Sequence, residues 1–422
     1  MAQSLLPILS VNFVGTLGFS IVLPFLVFLV TKWGGNALIY GLLGATYSVF
    51  QLIGAPILGR WSDRYGRRKI LLLSQLGTLA SWAIFLVAFL LPTHALIELD
   101  SPTLGQFALT LPLIVLFVAR AADGLTGGNV SVANAYLADI TEEDQRSENF
   151  GKMAISGNLG FILGPAVAGL LGATIWGEVL PVVTALVVSL IASLVIAFGL
   201  KESNPCVLLH DPEPATVRKI FGQETKECFR IEGANKASAR ELLKIRCLPV
   251  LLAIYFLVMA GFSFFYIAFP IHAVKGLAWS VTQTGAFFAT LSLLMVVVQG
   301  PILARAAKIL SDQTLVIWGS LILSLGFVFF VSGETALVYL GAALTALGNG
   351  LMWPSVMSRL AERAGQVYQG SVQGFASSVG AVASIVGLVA GGLLYNWLGP
   401  WVFSVAAITT LIVFGVAASV RL

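Results

Sequence analysis

Twelve apolar runs, each long enough to cross a bilayer, dominate this 422-residue sequence. They fall near 5–30, 37–58, 70–91, 109–138, 150–173, 179–199, 249–274, 282–304, 314–332, 336–358, 370–394 and 401–420. A helix needs ~20 residues to cross the hydrocarbon core, so the chain reads as an all-α membrane protein. Its composition agrees: 58% of residues are hydrophobic and 10% charged, with mean hydropathy +0.92, where a soluble domain carries about 25% charged residues. One long hydrophilic interruption divides the runs six and six. It predicts an N-terminal six-helix bundle over 1–200, a cytoplasmic linker over 201–247 and a C-terminal six-helix bundle over 248–422.

The net charge of +4 and pI near 9.0 do not imply a nucleic-acid partner. Of the 24 Lys and Arg, all but Lys32, Lys275 and Arg120 fall in segments that the span pattern assigns to the cytoplasm, the distribution that sets orientation in a membrane. An even span count with a basic first inner loop puts both termini inside the cell. The start of the chain carries no basic leader, and its first apolar run is too long for a signal-peptide core. Within the linker, Asp211-Pro212-Glu213-Pro214 reads as loop. Residues 237–245 read as a short surface helix with Leu242, Leu243 and Ile245 facing lipid. Cys206, Cys228 and Cys247 lie in or beside the linker, without metal-ligand spacing, and are expected to be reduced thiols.

Between the second and third runs stands Gly59-Arg60-Trp61-Ser62-Asp63-Arg64-Tyr65-Gly66-Arg67-Arg68-Lys69. Five cations in so short a stretch must sit in water. Gly59 and Gly66 predict a tight turn, and Asp63 has arginines within reach. This stretch resembles the conserved loop between helices two and three of the major facilitator superfamily, G-x-x-x-D-R-x-G-R-R/K. The resemblance implies twelve helices in two pseudo-symmetric six-helix bundles. Two internal matches fit a parallel repeat of that kind. Gly54-Ala55-Pro56-Ile57-Leu58-Gly59-Arg60 recurs as Gln299-Gly300-Pro301-Ile302-Leu303-Ala304-Arg305, and Gly164-Pro165-Ala166-Val167-Ala168-Gly169 aligns with Gly387-Leu388-Val389-Ala390-Gly391-Gly392.

The fourth run carries Arg120 and Asp123, followed by Ala138-Asp139-Ile140-Thr141. It resembles the superfamily's span-four arginine motif with the exit common in drug-efflux members. Arg120 lies about 15 Å deep at helical rise, where a charge is costly and a functional candidate by default. Asp123, one turn on, is the only carboxylate deep within any span. Two readings stand for the pair: Asp123 as proton carrier with Arg120 beside it, or a static ion pair that neutralises both charges. The fifth run, Gly157-Asn158-Leu159-Gly160-Phe161-Ile162-Leu163-Gly164-Pro165-Ala166-Val167-Ala168-Gly169, resembles the antiporter motif G-x-x-x-G-P-x-x-G-G with Ala168 replacing one glycine. In the family that motif marks exporters that exchange substrate for protons. The Leu23-Pro24 pair and the run from Tyr47 to Pro56 extend the resemblance to the tetracycline-efflux branch of the drug:proton antiporters. That branch carries an acid nine residues before the span-one proline, and here the position is Gly15.

A substrate cavity is expected between the halves near the midplane. Asn12, Tyr47, Gln51 and Asn158 are its candidates in the first half. Tyr255, Met259, Phe262 and Tyr266 recur at helical spacing in span seven, and Asn349, Met352 and Trp353 cluster in span ten. Aromatic rings with a few polar groups suit an amphiphilic organic molecule, although for each aromatic taken singly core packing or lipid contact is the commoner role. His272 reads as an interfacial histidine. Asp63, Arg64, Arg67, Arg68 and Asp139 are expected to latch the cytoplasmic edge in the outward-open state, with Gly59, Gly66, Gly164 and Pro165 shaping the gate.

No phosphate-binding glycine loop with Lys-Ser/Thr is present, so ATP-driven transport is not expected. Neither a cofactor nor a metal is implied, and no constellation for catalysis stands out. The sequence therefore predicts a secondary active exporter, a monomer in a bacterial inner membrane, that exchanges protons for a hydrophobic or amphiphilic small molecule by alternating access. The alternatives are a lipid or metabolite exporter or facilitator without proton coupling, and a membrane receptor that does not transport.

Overall fold

The computed structural model describes residues 5–127, 129–141, 146–172, 174–203, 239–245 and 247–420. In the first half, α1 (Leu6–Lys32), α2 (Ala37–Tyr65) and α3 (Arg67–Ala88) precede a hairpin, β1 (Ala95–Ser101) and β2 (Gly105–Thr110). Then come α4 (Leu111–Thr126), α5 (Asn129–Ile140), α6 (Arg146–Gly172) and α7 (Val179–Leu194). A four-residue helix, α8 (Ala239–Leu242), leads into the second half: α9 (Leu248–Lys275), α10 (Val281–Val297), α11 (Leu303–Ala306), α12 (Asp312–Phe329), α13 (Thr335–Leu398) and α14 (Val402–Ser419).

Among the described residues nine helices are long and apolar enough to cross a membrane, ten when the bent α1 counts as one span. The difference from twelve has two causes. Span four is interrupted at Gly127, where α4 ends. Spans eleven and twelve run together from Phe375 to Ser419, divided only by the turn at Gly399, whose φ is +57°. The 64-residue α13 carries spans ten and eleven. Tyr339 near its start packs on Trp279, and Tyr395 near its end approaches His272 across 3.4 Å, so both ends of α13 lie at one face and its halves run in opposite directions.

Three expectations change. The basic stretch is not a loop: α2 continues through Gly59 to Tyr65, and Gly66 alone turns the chain, with φ +105°. There Glu202 accepts hydrogen bonds from the backbone N–H of Arg67 (2.7 Å) and Arg68 (3.3 Å), capping α3 with a carboxylate from beyond α7. Anionic groups are favoured at a helix N-terminus. Leu242 does not face lipid but is buried against the core, while Leu243 is exposed. The hairpin was not foreseen, because its strands lie in a segment too short and polar to span and β1 is exposed almost throughout, without an alternating pattern. The Asp211–Pro214 loop, Cys206 and Cys228 lie outside the described residues.

The face bearing the hairpin is opposite the face bearing the α2–α3 turn, and the halves join toward the hairpin face. There α6 meets α10, where a Cβ on Gly169 would lie 3.1 Å from the Gly285 Cα. In the same way α2 meets α13: a Cβ on Gly392 would collide with the Ala37 carbonyl, and one on Gly41 with that of Leu388. Backbones this close exclude any side chain larger than hydrogen, the small-residue packing of membrane helices. Gly169 and Gly392 are one of the two glycine pairs that the internal repeat aligns. Span five against span eight is thus repeated as span eleven against span two, which is the pseudo-symmetry expected of the two bundles. The second half is held together by phenylalanines, among them Phe269 stacked on Phe287 (3.9 Å between ring centres) and Phe265 on Phe330 (4.9 Å).

Candidate functional site

The site is built around α4, which two glycines press against α2. A Cβ at Gly54 would strike the Leu125 carbonyl, and one at Gly124 would strike that of Tyr47. This approach buries Arg120 (3% exposed) and Asp123 (5% exposed) between helices. The Arg120 Nη1 donates to Asp123 Oδ2 across a long 3.5 Å. Its guanidinium carbon also lies 4.8 Å from the Tyr47 ring centre and 5.4 Å from that of Phe19. Desolvated cation–π contacts contribute roughly 2 kcal/mol, so the cation has two rings as well as one carboxylate. Gln51 braces this arrangement: its Nε2 donates to the Tyr47 hydroxyl (3.1 Å) and to the Gly127 carbonyl (3.2 Å).

Asp123 lines a cavity of about 280 Å³ together with Asn12, Gly15, Thr16, Phe19, Tyr47, Gln51, Thr78, Trp82, Gly127 and Phe161, and with Val11 and Ala133. Arg120 stands behind Tyr47 and Phe19 and is not part of the lining. The cavity thus presents a carboxylate, amide and hydroxyl groups and four aromatic rings. On α1 its lining residues run from Val11 to Phe19, the half of that helix away from the hairpin. Asn12 faces the cavity while its Nδ2 donates to the Met153 carbonyl (2.8 Å) and to Ser156 Oγ (2.9 Å), tying α1 to α6.

Four sequence candidates, Asn12, Tyr47, Gln51 and Asp123, are therefore brought together, with Arg120 directly behind them. Thr16, Phe19, Thr78, Trp82 and Phe161 were missed. The pairs Asn12/Thr16 and Thr78/Trp82 stand at four-residue spacing, but an apolar helix offers many such faces. Gly15, the departure from the efflux-branch acid, lines the same cavity as Asp123. The candidates of the second half lie elsewhere: Tyr255 packs on Trp353 (5.1 Å between ring centres) and Phe262 on Tyr266 (6.1 Å). Met259 and Asn349 are half-buried, and Met352 is fully buried. The Asn158 side chain lies outside the described residues.

The basic cluster forms a network at the end of the first half. Arg67 pairs with Asp63 one turn back and, through Nε, with Asp139 (2.9 Å). Asp139 also accepts from Ser203 Oγ (3.1 Å), and Arg68 donates to the Ala197 carbonyl. Arg64 lies beside the Tyr65 ring. These partners all belong to the first half or the start of the linker. Gly59 has no atom within 4 Å of an added Cβ, whereas Gly164 would drive one into Ser20 of α1. Pro165 lies inside α6 and its carbonyl sits beside Gly285. Gly164 and Pro165 therefore stand where α6 packs on α1 and α10, not with the basic cluster.

Comparison with known proteins places this geometry in a family. The model of the Major Facilitator Superfamily matches residues 8–254 and 251–421. A class E tetracycline resistance protein of Escherichia coli is 28% identical over 412 residues, covering 96% of this chain and 91% of its own. Multidrug resistance protein 2 of Bacillus subtilis is 25% identical over 394 residues, covering 92% and 88%. Among solved structures, the human organic anion transporter MFSD10 (TETRAN) superposes with a TM-score of 0.66 at 21% identity, over 98% of both chains. The repeated glycine contacts, the buried span-four arginine and a family match over nearly the whole chain have one conclusion: this protein is a membrane transporter of the major facilitator superfamily, similar to tetracycline and multidrug efflux proteins.

Proposed function

We propose that the protein exports a hydrophobic or amphiphilic small molecule in exchange for protons, by alternating access, with Asp123 as the proton-carrying group. One observation carries the reading: Gly15, where the efflux branch has its span-one acid, faces the same cavity as Asp123. The carboxylate needed for coupling is moved across the cavity rather than lost. In this reading a proton and the substrate use Asp123 in turn, and Arg120 is the partner of the carboxylate when neither is bound.

Rings of Phe19, Tyr47, Trp82 and Phe161 around a carboxylate favour an organic molecule with apolar surface and a basic nitrogen. Tetracycline and lipophilic amines are therefore the first compounds to try, which agrees with the names of the efflux relatives. The halves touch toward the hairpin face, and the cavity, lined by residues of the first half alone rather than between the halves as expected, lies away from that face, which supports a state open on the basic-loop side. With the basic loops and both termini in the cytoplasm of a bacterial cell, that state is inward-facing. The Asp63, Arg67 and Asp139 network then belongs to a cytoplasmic gate.

The test is substrate-triggered proton movement in proteoliposomes carrying a pre-formed pH gradient, with tetracycline and a panel of lipophilic amines added in turn. Proton release on addition of a transported compound supports antiport. Transport of a compound down its gradient with no proton movement establishes the facilitator instead.

A further inference from the structure

The hairpin does more than close a loop. Its tip is a short connection, Pro102-Thr103-Leu104, stiffened by Ser101 Oγ, which accepts from the backbone N–H of Thr103 and Leu104 (3.4 Å each). Its base is fixed to the first half: the Ala108 N–H donates to the Gly34 carbonyl (2.8 Å), and Thr110 Oγ1 to that of Trp33 (2.9 Å). The tip reaches the second half. Trp397 Nε1 donates to the Thr103 carbonyl (2.7 Å), and Asn396 Nδ2 to the Leu104 carbonyl (3.2 Å). That same Leu104 carbonyl accepts from Asn36 Nδ2 of the first half (2.8 Å). One oxygen is shared between the two bundles.

The packing leaves no slack around it. Gly105 has φ +75°, and a Cβ there would lie 3.1 Å from Asn36 Nδ2 and 3.4 Å from Asn396 Nδ2. Just beneath, Gly392 and Ala37 bring α13 and α2 into backbone contact. Asn36 also caps α2, its Oδ1 accepting from the Ile39 N–H (3.1 Å). A residue that starts a span of the first half is therefore hydrogen-bonded to the strap that holds the end of span eleven.

We propose that the β1–β2 hairpin is a releasable strap that holds the transporter shut on its own face, through Leu104 and Thr103 on one side and Asn396 and Trp397 on the other. The proposal rests on the alternating-access reading. Rocking the bundles apart at this face separates Asn396 and Trp397 from a hairpin anchored to the first half, so the strap bonds break in the other state. A bond present in only one state shifts the equilibrium by its full net contribution.

Spin labels report the two states directly. The full-length chain, with Cys206, Cys228 and Cys247 replaced by serine, is labelled at Ile175→Cys in the first half and Glu334→Cys in the second, both exposed near the hairpin face. Distances are measured in lipid across a pH series, at the value where the unmodified strap populates both a short and a long separation. Trp397→Phe keeps an aromatic ring, although a smaller one, and removes one donor, and is expected to raise the long-to-short ratio on the order of fivefold. Adding Asn396→Ala raises it further. An unchanged ratio in both variants, with the parent still switching, overturns the strap and leaves alternating access intact. A parent with a single separation at every pH, with or without tetracycline, overturns alternating access and the strap with it. Since Trp397→Phe retains an aromatic ring, failure of the double variant to fold leaves that single variant to decide.

Discussion

Replacing Asp123 by asparagine keeps the shape of the side chain and removes the carboxylate that the cavity exposes. The 3.5 Å contact with Arg120 is worth about 5 kcal/mol of Coulomb attraction at an effective dielectric of ~20. Loss of that attraction is offset by relief of the desolvation borne by a buried carboxylate, several kcal/mol in real proteins. Arg120 meanwhile keeps the rings of Phe19 and Tyr47. The net loss of stability should be about 1–3 kcal/mol, below the 3–5 kcal/mol typical when a buried pair is broken with nothing left to face the remaining charge. The functional loss is of another kind. With one proton exchanged per molecule, a gradient of two pH units supplies about 2.7 kcal/mol, or roughly 100-fold accumulation. In D123N vesicles that ratio should fall to unity and substrate-triggered proton release should vanish, while binding of the compound weakens but persists through the rings of Phe19, Tyr47, Trp82 and Phe161. Thermal unfolding in detergent and proton flux in proteoliposomes measure the two effects separately. Full accumulation and proton release by folded D123N would refute the assignment and return Asp123 to a neutralising partner of Arg120.

Four further outcomes follow from the same geometry. Phe19→Leu removes one π face from Arg120 and should cost about 0.5–2 kcal/mol in unfolding free energy; equal stability would mean that the ring only fills space. Gly54→Ala forces a Cβ against the Leu125 backbone and should destabilise by about 1–3 kcal/mol. Gly59→Ala, in a helix with open space around it, should be neutral or stabilise by about 0.5–1 kcal/mol, and thermal unfolding of the pair separates packing from motif membership. Gly15→Asp places a second carboxylate in the Asp123 cavity, so the protons released per molecule exported should rise, and an unchanged stoichiometry would deny that the two positions are exchangeable.

What the sequence by itself determined is the set of properties that lipid imposes locally. A bilayer favours long apolar helices, so the spans and the depth of Arg120 follow from spacing alone. The repeat was also legible, since the glycines that let α6 touch α10 and α2 touch α13 must be glycine wherever the contact recurs. Tertiary structure decided the rest, because it depends on approach between segments distant in sequence. Gly54 and Gly124 draw α4 onto α2 and set Arg120 behind Tyr47 and Phe19 while Asp123 reaches the cavity; each of these residues looks like ordinary packing when read alone. Gly59 and Gly66 occupy equivalent places in the motif, yet only Gly66 turns the chain, because Glu202, more than a hundred residues away, caps the helix that follows it. The hairpin had no signature strong enough to read in advance. Its two short strands gain their order from the Trp33 and Gly34 carbonyls, and their purpose from Asn396 and Trp397, whose side chains meet them only once both bundles are folded.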